Sequence, residues 1–169
     1  MVILKEVDYA ILFELMKDAR LSDRQLAKKV GVSQPTATRR RTLLERELVD
    51  GYTAIPKWAK LGYEILAFTF VKIKQDIAEK DKYSSTRKKG LEWLMSQPNI
   101  VMGGACRGIG LDSFMISIHK TYRDYDEFMS SYRLEMGTFI DDSQSVLVNL
   151  AGKEILKPFH LKYLAEAKR

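Results

Sequence analysis

The stretch Leu21-Ser-Asp-Arg-Gln-Leu-Ala-Lys-Lys-Val-Gly-Val-Ser-Gln-Pro-Thr-Ala-Thr-Arg-Arg-Arg-Thr-Leu-Leu-Glu45 reads as two capped helices joined by one tight turn. Ser22 stands where an N-cap belongs, with Gln25 three residues on, a pairing that satisfies two otherwise orphaned backbone donors. Leu26, Ala27 and Val30 recur at helical spacing, and Gly31 follows where the chain must turn left-handed. After the turn Gly31-Val32-Ser33, Ser33 caps a second helix and Pro35 sits in its first turn, where a missing donor costs nothing. Ala37, Leu44 and Leu48 form its inward line, so Pro35, Thr38, Arg39 and Thr42 point away from that line. Three consecutive arginines, Arg39-Arg40-Arg41, ride on this helix. A short, cationic helix presented in this way suits the DNA major groove.

The flanks complete a small head. Asp8 followed by Ile11, Leu12, Leu15 and Met16 predicts an upstream helix that closes the core. Beyond Leu48, the segment Val49-Asp-Gly-Tyr-Thr-Ala-Ile55 places the turn signal Asp50-Gly51 between strand formers and predicts a hairpin wing. The expected unit over residues 1–55 is a winged helix-turn-helix.

Pro56 to Tyr63 reads as an irregular connector, giving a linker over 56–64. From Ile65 the pattern changes. Residues 65–74 predict a strand, roughly Ile77 to Gln97 a helix ended by Pro98, and Ile100 to Arg107 and Ser113 to Lys120 two further strands. Between those strands lies the bend Gly108-Ile-Gly-Leu-Asp112, and Gly103-Gly104 leave room for a bulge or an early break. Tyr125, Phe128, Met129 and Tyr132 have helical spacing, whereas Val146, Val148 and Leu150 alternate as in a strand. The order β-α-β-β-α-β predicts an α+β ferredoxin-like plait over 65–169, with Pro158 to Ala167 packing on it as a terminal helix. Leu66, Phe68 and Phe70 on one side of the first strand, and Ile65, Ala67 and Val71 on the other, are all apolar. A second subunit is therefore expected on the face that the helices leave open.

Composition narrows the class. The chain has 169 residues, 46% of them hydrophobic, with a net charge of +6 that leans mildly towards polyanions. No long apolar run or basic leader is present, so neither a membrane partner nor secretion is expected, and a single cysteine points to a cytoplasmic setting. His119, His160 and Cys106 are too few and too scattered for a metal site, and neither a cofactor nor a catalytic group is expected.

The chain resembles the Lrp/AsnC, or leucine-responsive, family of regulators. The residues that carry the likeness are Asp8-Tyr-Ala-Ile-Leu12, Asp18-Ala-Arg-Leu-Ser22, Leu26-Ala27, Val30-Gly-Val-Ser33, Arg40 with Leu44-Glu45, Gly51-Tyr52 and Leu61-Gly62-Tyr63. The resemblance implies a transcriptional regulator that binds double-stranded DNA at pseudo-palindromic sites as a homodimer, with dimers joining into tetramers or octamers. The DNA contact set is expected among Ser33, Gln34, Pro35, Thr36, Thr38, Arg39, Arg40, Arg41 and Thr42. Arg39 is the candidate reader of guanine, while Arg40 and Arg41 reach the DNA backbone or pair internally. Gly108 to Asp112 is similar to the family's effector bend. This implies a small-molecule effector such as an amino acid at Gly108, Gly110 and Asp112, with Asp112 meeting an ammonium group or capping the turn. The bend departs from the family spacing by one residue, and the family's Gly-Val pair before the final strand is replaced by Gly137-Thr138-Phe139. Two other readings compete: an enzyme similar to the sirohaem decarboxylases, using His119 or His160, and an architectural protein that compacts DNA without sequence preference.

Overall fold

A computed structural model describes residues 3–74 and 80–167. The chain divides into two compact units, Met1–Ile55 with Pro158–Arg169, and Pro56–Lys157. No helix among the described residues is long and apolar enough to cross a membrane.

The first unit is built on α1 (Glu6–Lys17), α2 (Asp23–Val30) and α3 (Gln34–Glu47). Each boundary follows its local chemistry. Ser22 Oγ accepts from Gln25 N at 3.3 Å while Gln25 Oε1 accepts from Ser22 N at 2.8 Å. Gly31, at φ 78°, closes α2 in the left-handed region, and Ser33 Oγ accepts from Thr36 N at 3.4 Å to open α3. Ile11, Leu15, Leu21, Leu26, Ala27, Ala37 and Leu44 are buried together as the core. Leu48, expected on the inward line, is 47% exposed, because α3 ends at Glu47 and Leu48 leaves helical geometry.

Two expectations for this part of the chain are corrected. Residues 49–55 contain no strand and no hairpin. An isolated two-stranded ribbon is marginal in water, and here the segment is tied instead to α3 by the Tyr52 hydroxyl, which donates to Glu45 Oε1 at 2.9 Å. The terminal helix, α6 (Lys162–Glu166), is shorter than expected and groups with the head, where it packs on α1, rather than with the plait. His160 precedes it, its Nδ1 accepting from Lys162 N at 3.0 Å. Leu161 and Leu164 still keep substantial exposure, so this segment lacks the buried stripe that would extend a helix back to Pro158.

The second unit is the plait: β1 (Ile65–Ile73), α4 (Lys80–Ser96), β2 (Ile100–Gly108), β3 (Leu111–His119), α5 (Tyr122–Met136) and β4 (Ile140–Asn149). All pairings are antiparallel, in the order β2-β3-β1-β4. Residues 75–79, where the expected helix begins, lie outside the described residues. The connector holds a short 3-10 turn, Trp58–Leu61, braced by an edge-to-face contact of Trp58 with Tyr63 at 5.7 Å. Gly103 and Gly104 do not break β2, which stays paired with Met115 and Phe114. A Cβ at Gly103 would stand 2.5 Å from Leu94 Cδ1, so a side chain there would displace the end of Leu94.

The expected five-residue bend tightens to two residues, Ile109 and Gly110, at φ 46° and 74°. Positive φ at both central positions is the geometry of a type I′ turn, whose twist matches the flanking strands. The helix-facing core gathers Ala67, Val71, Met115, Trp93, Tyr125, Met129 and Tyr132. On the other face, Leu66, Phe68 and Phe70 of the central strand are only half-buried, in register with Ile118, Ile116 and Phe114 on one side and Val148, Val146 and Gln144 on the other.

Candidate nucleic-acid interface

Helix α3 sorts its polar residues by what they touch. Ser33 and Thr36 cap each other at the helix start, their hydroxyls 2.9 Å apart. Thr38 Oγ1 donates to Asp23 Oδ2 at 2.7 Å, and Thr42 Oγ1 donates to the Thr38 carbonyl at 3.0 Å. Gln34, Pro35, Thr38, Arg39 and Thr42 are exposed along one side. Among the described residues Arg39 has no ion-pair or hydrogen-bond partner, so its five donors face solvent.

The other two arginines of the triplet are engaged within the head, the internal pairing that the sequence left open for them. Arg40 Nη1 lies 3.5 Å from Asp8 Oδ2, and Asp8 is fully buried. That same oxygen accepts from Lys5 N at 2.8 Å, so one carboxylate caps α1 and anchors α3. Asp8 Oδ1 and Arg40 Nε are buried without hydrogen-bond partners. Arg41 Nε donates to Glu45 Oε1 at 2.8 Å, and its Nη1 donates to the Leu21 carbonyl at 2.8 Å and to Asp23 Oδ1 at 3.2 Å. The bond to Glu45 chiefly raises the Arg41 pKa and lowers that of Glu45. Burial, then Glu45, pushes the Tyr52 phenol up. Arg41 is thus the weld between α2, α3 and the segment after α3, and Asp23 is the acid that receives it.

Two cations outside the expected set join Arg39. Lys5, Arg39, Arg40, Thr42, Leu43 and Arg46 line an open hollow of about 700 Å³ between the start of α1 and the outer side of α3. Arg46 Nε donates to Glu47 at 2.6 Å, yet the Arg46 side chain stays 70% exposed. With Arg40 neutralised by Asp8, the hollow presents Lys5, Arg39 and Arg46 to solvent. Arg46 is legible in the sequence as Arg39 plus seven, two turns along one helix face. Lys5 is not, because only the folding of α1 against α3 brings it there.

The profile of the AsnC-type helix-turn-helix domain matches residues 4–45. Residues 4–45 of the head are thus an AsnC-type helix-turn-helix domain. Over 72 residues, 42% of this chain and 46% of the other, it is 40% identical to the leucine-responsive regulatory protein of Rhizobium meliloti. It is 28% identical over 143 residues, 82% of this chain and 79% of the other, to the HTH-type transcriptional regulator FL11 of Pyrococcus furiosus. The alignments span about half the length of most of the curated relatives, 46%, 51% and 46% for three of them. A transcriptional regulator of Neisseria meningitidis solved as its L-Met complex superposes with TM-score 0.75 at 23% identity, over 86% of this chain and 90% of that one. An AsnC family regulator of Agrobacterium tumefaciens gives 0.75 at 21%, with the same two coverages.

Outside the AsnC-type head, the residues expected to hold an effector are placed as follows. Gly108, the last residue of β2, and Gly110, in the turn, both have positive φ. Asp112 neither caps that turn nor stands apart from the fold: its Oδ2 accepts from Ile73 N at 2.8 Å, beside the register shift between Lys72 and Ile73. Of the two histidines weighed for an enzymatic reading, His160 stands just before α6 and His119 is buried in the plait. His119 is 4% exposed, packs on Tyr125 and Phe128 at 5.4 and 5.1 Å, and shares a hydrogen bond with Ser117 Oγ at 2.8 Å. Burial lowers its pKa, so it stays neutral in the fold.

Proposed function

We propose that this chain is a sequence-specific DNA-binding transcriptional regulator that acts as a homodimer or higher oligomer and is modulated by an amino acid. The observation that carries the reading is the division of labour on α3. Arg40 and Arg41 are spent on acids of the head, whereas Arg39 is held out, free and flanked by Gln34, Thr38 and Thr42. A guanidinium so placed can engage guanine O6 and N7 together, and the cations Lys5 and Arg46 beside it suit the phosphate backbone. Arg40 and Arg41 hold the helix in position and do not touch DNA.

Dimerisation through the open sheet face is supported by half-buried phenylalanines on a central strand, which a second copy would cover. Two heads related by a two-fold axis meet half-sites separated by about one helical turn or a multiple of it. The amino-acid effector is supported by the plait architecture shared with the Neisseria regulator, which was solved with L-Met.

Selection of bound fragments from random duplex DNA tests the reading. Enrichment of a pseudo-palindromic site is the expected result. Recovery of unenriched sequence indicates compaction without sequence preference, and no retention at low salt overturns DNA binding altogether.

A further inference from the structure

The exposed side of α3 carries the hydroxyls of Thr38 and Thr42, and a hydroxyl has a single hydrogen to give. Once that hydrogen is committed, the oxygen meets any further partner only as an acceptor. Thr38 is so committed. Its Oγ1 donates to Asp23 Oδ2 at 2.7 Å, and because a carboxylate oxygen only accepts, the direction of this bond is fixed. The length is that of a charge-assisted O–H···O⁻ bond, roughly twice as strong as one between neutral groups. Asp23 is itself held in place: its Oδ1 accepts from Arg41 Nη1 at 3.2 Å, and it stands in the first turn of α2, where the helix dipole favours negative charge. Thr42 is less constrained, since it donates at 3.0 Å to the neutral carbonyl of Thr38, one turn back on its own helix.

This polarity decides what Thr38 can read. Phosphate oxygens, guanine O6 and N7, adenine N7 and thymine O4 are all acceptors, and none of them can bond to an oxygen whose hydrogen is already taken. In the major groove only adenine N6 and cytosine N4 donate. Arg39, the next residue along α3, is the converse case, a guanidinium with donors only, which suits guanine. Neighbouring side chains thus ask for opposite hydrogen-bonding partners.

We infer that Thr38 reads the exocyclic amino group of an adenine or a cytosine, and that Asp23, on α2, is a specificity-determining residue that fixes this preference by holding the Thr38 hydrogen. Asp23 acts through Thr38, as a positioning residue. The inference deepens the reading of the chain as a sequence-specific regulator and rests on it.

Transitions along the selected duplex test it, because A→G and C→T each replace an amino group by a carbonyl while keeping a purine or a pyrimidine in place. Affinity of the full chain is read by anisotropy at one salt concentration. One position in each half-site is expected where the transition weakens wild-type binding by about tenfold, within the usual cost of a mismatched pair. Thr38→Val should bring that ratio to about one, and so should Asp23→Ala, whose freed hydroxyl can donate or accept. Thr38→Ser should keep the penalty, and Asp23→Ala added to Thr38→Val should lose no further discrimination there. The guanine preference assigned to Arg39 should stand in every variant. Thr38 is exposed, so Thr38→Val and Thr38→Ser carry the test if Asp23→Ala does not fold. A Thr38-dependent position that favours guanine or thymine shows a donating hydroxyl and overturns the inference. So does a penalty that Asp23→Ala leaves intact, a set of penalties that all survive Thr38→Val, or an equal weakening on every sequence, the mark of a phosphate contact. Each of these results leaves the regulator reading standing, whereas a wild-type chain that selects no site fails that reading and the inference with it.

Discussion

Arg39, Arg40 and Arg41 are chemically identical neighbours with three different jobs, and the difference comes from what each finds within reach. Arg40 meets the buried Asp8 and Arg41 meets Glu45, Asp23 and the Leu21 carbonyl, while Arg39 meets solvent. Arg39→Ala should therefore cut discrimination between selected and random duplex by about 1–3 kcal/mol while leaving the melting temperature unchanged. Equal weakening on both duplexes in a competition assay would show that Arg39 holds phosphate only. His119 provides a second test at this scale. Its folded pKa is depressed by burial, so the unfolded chain binds the proton more readily. The stability that neutral His119 allows is complete above about pH 6.5, its unfolded value, and is lost as pH falls below it. Melting curves between about pH 7 and 5 should show this fall, and His119→Phe, which keeps the ring packing on Tyr125 and Phe128, should flatten it.

At the scale of elements, the start of α1 and the outer side of α3 act as one cationic surface, though they are far apart in sequence. Lys5→Ala and Arg46→Ala should each reduce the slope of log affinity against log salt by about 0.9, on selected and random DNA alike, since each removes one phosphate contact. An unchanged slope would take both residues off the DNA. The β2-β3 turn makes the opposite point, that an element can carry a locally poor residue. Ile109 is β-branched, 94% exposed and at φ 46°, a conformation that costs such a side chain energy and gives it nothing to pack against in this subunit. Ile109→Asn should stabilise the plait by about 1 kcal/mol in denaturant titration, since Asn-Gly is the preferred pair for this turn. No gain would mean that a contact outside the subunit compensates the isoleucine.

For the whole molecule, the proposed dimer rests on the open sheet face. Phe68 and Phe70 lie on the central strand of the plait, where a monomer would waste their burial at about 1.5–3 kcal/mol for each side chain still wet. Phe68→Asp should give a folded monomer by sedimentation, with affinity for paired half-sites reduced towards that for a single half-site. A dimer that persists unchanged would place the interface elsewhere.

Helix ends, the core stripe of the head and the strand order of the plait were legible in the sequence, because caps, 3.6-residue spacing and alternation are local rules that each segment obeys by itself. Ser22, Gly31, Ser33 and the row Tyr125, Met129, Tyr132 show this directly. Partners that come from distant segments were not legible. Asp8 beneath Arg40, Asp23 beneath Arg41 and Asp112 on Ile73 are joined by folding across many residues, and no spacing rule announces them. The same reason undid the wing and the terminal helix: strand and helix propensity in 49–55 and 158–167 was read correctly as composition, but where a weak segment settles depends on which surface offers it contacts. Sequence determined the kinds of element and the chemistry available to them; tertiary structure alone decided which charges were consumed and which remained for a partner.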